Sequence, residues 1–396
     1  MLTHEYPPYV YGGVGTFTYD LARSLSSKGT SVSVMAGYPA GAANIKLDGS
    51  RKTEKNLEVI RIPRLGLPPS QLWYEIMNLA RIRSILAKFD IIHSHCGPSF
   101  PMIFQCKRDY PKLPWVVTMH TNPVSQLYYA TKSVTSMEGS IGDIFANVVG
   151  FPIWDLGFRV HASLADAVVA VSQHLARELR EEYGVNPRKL FTINTGVNLR
   201  TLGEAYEANF SSQDEDKPVK LLFAGRLYWP KGVLYLLRAL VSLNIEFRFN
   251  NYRLEIFGDG PLRRRILSFI SKFHLEKNVK LMGFVRHTEL LDSMANSNIV
   301  CVPSLYEACP VGMIEAMALG KPVIAFDRPF ARELLSGVPH FPIAKNIREY
   351  ARLLYTFCTS PDLRDEFGNL LRKHTLELFD VDTVAEKYLR VYRGLS

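Results

Sequence analysis

No uninterrupted apolar run in this 396-residue chain approaches the roughly 18 residues of a helical membrane span. The amino-terminal residues lack the succession of basic, apolar and small side chains of a secretory signal, so none is expected. Cysteine is scarce. Cys96, Cys106, Cys301, Cys309 and Cys358 are odd in number, irregular in spacing and form no Cys-x-x-Cys. That usage predicts unpaired thiols in a reducing compartment and excludes a disulfide scaffold. There is no repeat of fixed short period and no low-complexity tract.

What is present describes a globular protein: 47% apolar and 21% charged residues in a length that suits about two domains. A formal charge of +9 favours an anionic partner, either a nucleotide diphosphate or an acidic lipid, or serves solubility alone. Nucleic acid fits less well, because neither aromatic interleaving nor a binding module accompanies the basic residues.

Strand-like and helix-like segments alternate in each half. Met1-Leu-Thr3 reads as a short strand end, followed by a Gly/Pro-rich loop to Gly15 and a helix with Phe17, Leu21 and Leu25 at fourfold spacing. Strands follow at 31–36, 57–62, 90–95, 114–120, 167–171 and 190–193, with a long helix at about 70–88. Residues 201–217 turn polar and acidic and read as a linker. The pattern restarts with strands at 219–224, 253–257, 279–282, 299–303 and 322–326, and the tail is helical from about Asp362. Parallel sheets covered on both faces are predicted, with ligands at the carboxyl ends of their strands. The expected boundaries are 1–200 for the first domain, 218–370 for the second, and 371–396 for a helical tail packing back towards the first domain.

The densest stretch runs from Ser304 to Ala325. It sets Glu307 in a loop and Glu315 in a helix of about 311–319, stopped by Gly320 and Pro322. Pro310 suits the first helical position, where its missing N–H is harmless. The free amides of that helix start, from Val311 and Gly312, would lie near both acids and could hold an anion or bond hydroxyls.

This stretch resembles the E-x-seven-E signature of retaining glycosyltransferases of GT-B fold (group 1, the sucrose-synthase-like family four). The resemblance covers nearly the whole chain. It includes the loop with Gly12 and Gly13, Asp90-Ile-Ile-His-Ser-His95, Asn194-Thr-Gly-Val-Asn198, Gly225-Arg-Leu-Tyr-Trp-Pro-Lys-Gly232, Phe257-Gly-Asp-Gly-Pro261 and Gly283-Phe-Val285. It implies two Rossmann-like doubly wound α/β domains facing each other across a cleft, 1–200 on the acceptor side and 218–370 binding the nucleotide sugar.

The resemblance also implies roles. Arg226 and Lys231 offset the charge of a diphosphate leaving group. Glu315 accepts hydrogen bonds from the donor ribose. Glu307 lies at the donor sugar, where it binds hydroxyls or stabilises a cationic anomeric carbon; capping the following helix is its plain structural alternative. His120 contacts the donor sugar, or is a satisfied strand-end histidine. The backbone at Val285 meets the nucleobase, with neighbouring Phe284 open to a core role. Gly12 and Gly13 let helix-start amides approach phosphate or acceptor. The chain shows no Asp-x-Asp of the kind metal-dependent sugar transferases use, and no metal or other cofactor is expected. His93 and His95, next to Cys96, suit a structural role better than a metal site.

The chain departs from the family at Pro310, where glycine is usual, and at Asp327–Glu333, where only Glu333 survives of a Gly-Gly-x-x-Glu. The function expected is hexosyl transfer from a nucleotide-diphospho-sugar to a hydroxyl of a sugar or lipid-linked glycan. A nucleotide-sugar 2-epimerase or a non-catalytic sugar-nucleotide-binding subunit are the alternatives. Tyr128, Tyr129, Met137, Phe145, Phe151, Trp154 and Phe158, between Thr121 and Val160, border an acceptor site or serve the core or a subunit contact. Arg61, Arg64, Arg81 and Arg83, with Leu65, Leu67, Leu72 and Trp73, form either a face for an anionic membrane or a solvated surface. The expected location is cytoplasmic, with peripheral membrane contact as an option.

Overall fold

The computed structural model describes residues 1–8, 12–39, 53, 54, 56–64, 70–95, 101–135, 141–208, 217–339 and 341–395. The chain forms two compact units. One holds Met1–Leu127, Ala146–Gly196 and Val381–Ser396, the other Tyr128–Phe145 and Val197–Asp380.

The strands of the first unit are β1 (Leu2–Thr3), β2 (Val32–Pro39), β3 (Thr53–Glu54), β4 (Leu57–Arg64), β5 (Ile92–His95), β6 (Trp115–Met119), β7 (Ala167–Ala170) and β8 (Leu190–Thr192). Their order is β3-β4-β2-β1-β5-β6-β7-β8. All pair in parallel except the short edge strand β3, which is antiparallel to β4. β5, β6 and β7 are buried along their whole length, as strands covered on both faces must be. The order runs outward in both directions from β1, so the sheet is doubly wound with its switch between β1 and β5.

The second unit repeats the plan with β9 (Val219–Ala224), β10 (Tyr252–Phe257), β11 (Val279–Gly283), β12 (Ile299–Val302), β13 (Val323–Phe326) and β14 (Ile343–Ala344). Their order is β11-β10-β9-β12-β13-β14, and the switch falls between β9 and β12. Such switch points open a crevice at the strands' carboxyl ends. Arg226 and Lys231 follow β9, and Glu307 follows β12.

Of the stretch 201–217, residues up to Ala208 belong to the helix Leu199–Ala208, and 209–216 lie outside the described residues. The last helix, Val381–Arg393, packs on the helix Gly13–Ser27 of the first unit. Val384, Ala385 and Tyr388 are fully buried in one cluster with Phe17, Leu21 and Val116. Full burial of the Val, Leu and Phe side chains contributes about 1.5–3 kcal/mol each. Ser24 Oγ donates to Asp382 at 2.5 Å and Lys28 pairs with Glu386 at 2.7 Å. Among the described residues no helix is long and apolar enough to cross a membrane, and Cys106, Cys301 and Cys358 form no disulfide.

Candidate active site

In the second unit the loops beyond β9, β10, β11 and β12 are stitched together by backbone bonds. Gly225 N–H donates to Phe257 O at 3.0 Å, Gly258 N–H to Gly283 O at 2.7 Å, and Leu305 N–H to Pro230 O at 2.7 Å. Two glycines permit this. Gly258 has φ +122, and a Cβ there would lie 2.1 Å from Gly225 O; Gly232 has φ +66, and a Cβ would lie 1.9 Å from Pro303 O. Only glycine meets both demands. The loop carrying Lys231 is thereby pressed against the loop carrying Glu307.

The Lys231 ammonium donates to Glu307 Oε1, and Ser304 Oγ donates to the same oxygen at 3.0 Å. Both ion-pair partners are largely withdrawn from water, with side chains 24% and 15% exposed. Burial alone would lower the lysine pKa, yet the Glu307 carboxylate holds it above its ordinary value. Arg226 stays exposed, its guanidinium 5.3 Å from the Tyr228 ring centre. Among the described residues it joins no ion pair.

Glu315 is 5% exposed on the helix Val311–Ala318. Its Oε1 lies 2.7 Å from His287 Nε2. Pro310 corrects the sequence expectation: it is the N-cap, with extended φ −73 and ψ 108, rather than the first helical residue. Its carbonyl opens the ladder, accepting from Met313 N–H at 3.1 Å and Ile314 N–H at 3.3 Å. The amides of Val311 and Gly312 then have no acceptor within the helix. A methyl added at Gly312 would meet Glu315 Oε2 at 4.0 Å. Val285 packs half-buried against the core. Phe284 is 73% exposed, which excludes the core role open to it from sequence.

In the first unit Gly12 caps the helix Gly13–Ser27 in an extended conformation without a side-chain cap. Both glycines are exposed, so the helix start is uncovered. Phe17 of this helix packs edge-on against His95 and His120, at 5.9 Å to each. His120 follows β6, half-buried, its ring stacked on His95 at 5.5 Å with Nε2 3.2 Å from His95 Nδ1. Burial, and then the charge of His4, push His120 down to about 3. His93 lies between Thr118 Oγ1 at 2.8 Å and the Tyr392 hydroxyl at 2.6 Å.

Among the described residues no group of His, Cys, Asp and Glu side chains is placed to hold a metal; Cys96 lies outside them. Literal Asp-x-Asp triplets occur at 214–216, also outside them, and at 380–382, where Asp382 is taken up by Ser24. Of the residues suggested for a membrane face, the side chains of Arg64, Leu65, Leu67, Leu72 and Trp73 lie outside the described residues. Arg61 donates to the Tyr6 and Pro7 carbonyls, and Arg83 pairs with Asp109 at 2.5 Å. Of the aromatic segment, Phe158 is buried core, whereas Tyr128 is 50% exposed and Tyr129 stacks at 5.5 Å on Tyr306, beside Glu307. The side chains of Met137 and Phe145 lie outside the described residues.

His287 and Ser304 escaped the sequence reading. Ser304, three residues before Glu307, had a signal in its spacing. His287 had only its place two residues beyond Val285.

Two doubly wound parallel sheets in tandem are the architecture of the GT-B glycosyltransferases. Residues 11–201 match the model of Glycosyltransferase Family 4, and residues 206–374 that of Glycosyl transferases group 1. The chain is thus a glycosyltransferase built of a Family 4 domain followed by a group 1 domain. It is 25% identical to an uncharacterized glycosyltransferase of Methanocaldococcus jannaschii, over 99% of this chain and 97% of that one. It is 23% identical to the glycogen synthase of Mycobacterium tuberculosis, over 99% and 93%. Among solved structures, sucrose-phosphate synthase from Thermosynechococcus elongatus superposes with a TM-score of 0.78 at 19% identity, covering 100% and 98% of the two chains. Anabaena HepE in complex with UDP-glucose gives 0.72 at 18%, covering 99% and 98%.

Proposed function

We propose that the protein is a retaining hexosyltransferase. It moves a hexosyl unit from a nucleotide-diphospho-sugar to a hydroxyl of a sugar or lipid-linked glycan, in the cytoplasm and without a metal. One observation carries this reading: the Lys231–Glu307–Ser304 cluster at the β9/β12 switch point, with Glu315 on the helix that follows.

The leaving diphosphate gains negative charge as the glycosidic bond breaks. Lys231, Arg226 and the Val311 and Gly312 amides oppose that charge with fixed positive ends. The Lys231–Glu307 pair is a resting arrangement. An arriving phosphate competes for the ammonium and releases Glu307 to bond sugar hydroxyls or stabilise the cationic anomeric carbon. Glu315 accepts from the ribose, the Val285 backbone meets the base, and His120 reaches the donor sugar. The acceptor oxygen attacks the anomeric carbon on the face the leaving group departs from. Its proton passes to the departing phosphate oxygen, so no separate base is required.

The uncovered helix start at Gly12 and Gly13 suits phosphate or acceptor, and the exposed Tyr128 suits a sugar face. HepE bound to UDP-glucose supports the donor class. The test is a screen of nucleotide sugars against soluble and lipid-linked acceptors, read by mass spectrometry. A gain of one hexose on the acceptor with release of nucleoside diphosphate is expected. Conversion of the donor without acceptor would instead make the protein an epimerase, and binding without turnover a non-catalytic subunit. A soluble glycan product would remove any need for membrane docking.

A further inference from the structure

The mechanism uses His120 but not the four rings behind it, His95, His93, Tyr388 and Tyr392. These form a row that begins on the last helix. Tyr388 and Tyr392 are four residues apart and so share one helical face. The Tyr392 hydroxyl lies 2.6 Å from His93 Nδ1, His93 Nε2 lies 2.8 Å from Thr118 Oγ1, and Thr118 Oγ1 lies 3.0 Å from the Tyr388 hydroxyl. His93 thus has both ring nitrogens engaged and cannot swing. His95, two residues further along β5, packs on His93 with ring centres 4.5 Å apart, and Phe17 closes the other side. His95 Nδ1 then reaches His120 Nε2 at 3.2 Å.

The polar bookkeeping of this row has one consistent solution. Burial holds His93 and His95 well below the ordinary histidine range, and His120 lies at about 3, so all three rings are neutral. One proton therefore lies between His95 Nδ1 and His120 Nε2. His95 Nε2 is fully buried and, among the described residues, has no partner. If His120 Nε2 carried the shared proton, His95 would need its own on Nε2, a buried N–H with no acceptor. Orphaned buried N–H groups are rarer than unmatched acceptors. The shared proton belongs to His95, which donates it to His120 Nε2. His120 then carries its own proton on Nδ1.

We propose that His95 fixes His120 as the Nδ1–H tautomer, a hydrogen-bond donor, and that Tyr388 and Tyr392 are positioning residues that hold the row in register. Resting on the reading of His120 as a donor-sugar contact, this makes His120 specific for a sugar oxygen that accepts. It also gives the final helix a task in the reaction besides burying apolar surface.

The test joins a spectroscopic and a kinetic measurement. Long-range proton–nitrogen correlation on full-length protein labelled in its histidines reads each tautomer without substrate. His120→Asn and His95→Asn identify the signals. The expected result is His120 protonated on Nδ1 and His95 on Nδ1. An Asn amide can replace the donating nitrogen, so His95→Asn keeps this tautomer and a kcat within about threefold, whereas His95→Leu gives a mixture and a kcat at least tenfold lower. Tyr392→Phe keeps the ring and removes the hydroxyl. It lowers kcat several-fold with little change in donor KM, and Tyr392→Phe with Tyr388→Phe lowers it further.

An Nε2-protonated His120, or a Tyr392→Phe variant with unaltered His93 signals and kcat, overturns the proposal. If the tautomer is found but no transfer occurs with any donor, the proposed function fails while the proton assignment stands.

Discussion

Lys231 and Glu307, 76 residues apart, meet as a largely buried ion pair at the switch point of the second sheet. The contact is a product of backbone geometry, since Gly232 lets the lysine loop rest on the Pro303 carbonyl. In the proposed reaction the pair exchanges partners, with the ammonium going to a phosphate and the carboxylate to a sugar.

Replacing either partner should cost the reaction more than the fold. Glu307→Gln and Lys231→Met are expected to lower kcat/KM by about 10² to 10³, the usual effect of removing one preorganised group. The thermal midpoint should move by only a few degrees. Steady-state kinetics and a melting curve check both. Activity within fivefold of the parent in either variant would count against the site.

Glu315 should act on binding through the ribose. Glu315→Ala is expected to raise the donor KM about tenfold or more, as loss of a hydrogen bond to a charged group does. A donor lacking the ribose hydroxyls should bind the parent and the variant equally. A deficit that persists with the deoxy donor would show that Glu315 instead serves His287 and the local fold.

Gly232→Ala should destabilise the second unit. Its φ of +66 disfavours a side chain, and the new methyl would collide with Pro303 O. A loss of at least about 2 kcal/mol is expected in urea unfolding. An unchanged midpoint would contradict the close loop contact.

Acid should destabilise the first unit before any carboxylate is protonated. Burial depresses His93 and His95 well below the usual value, His120 to about 3 and His161 to about 4. In the unfolded chain these rings take up protons near pH ~6.5. The native state is therefore favoured fully above that pH and loses ground as pH falls towards 4, by about 1.4 kcal/mol per histidine per unit. Urea midpoints at pH 7.5, 6.5 and 5.5 should show a plateau and then a decline.

The residues at strand ends were legible because they belong to local patterns. Arg226, Lys231 and Glu307 each follow a short apolar strand and precede a helix, Glu315 lies on the helix after Glu307, and that order needs no knowledge of neighbours in space. His287 was not legible as a partner of Glu315. Their contact depends on the helix His287–Ala295 packing beside the helix Val311–Ala318, a tertiary arrangement that no local pattern announces. The tyrosines of the last helix were invisible for the same reason, since Tyr392 reaches His93 across 299 residues. Arg61 misled in the other direction. It looked like part of a basic face, yet the carbonyls of Tyr6 and Pro7 claim its guanidinium.

The most direct test of the account follows the anomeric proton by NMR while the enzyme consumes an α-linked nucleotide sugar. Front-face attack with the proton passing to the departing phosphate predicts a first-formed product with an α linkage and the small anomeric coupling of the donor. A first-formed β-linked product would mean inversion, and would contradict the roles assigned to Glu307, Lys231 and Arg226 together.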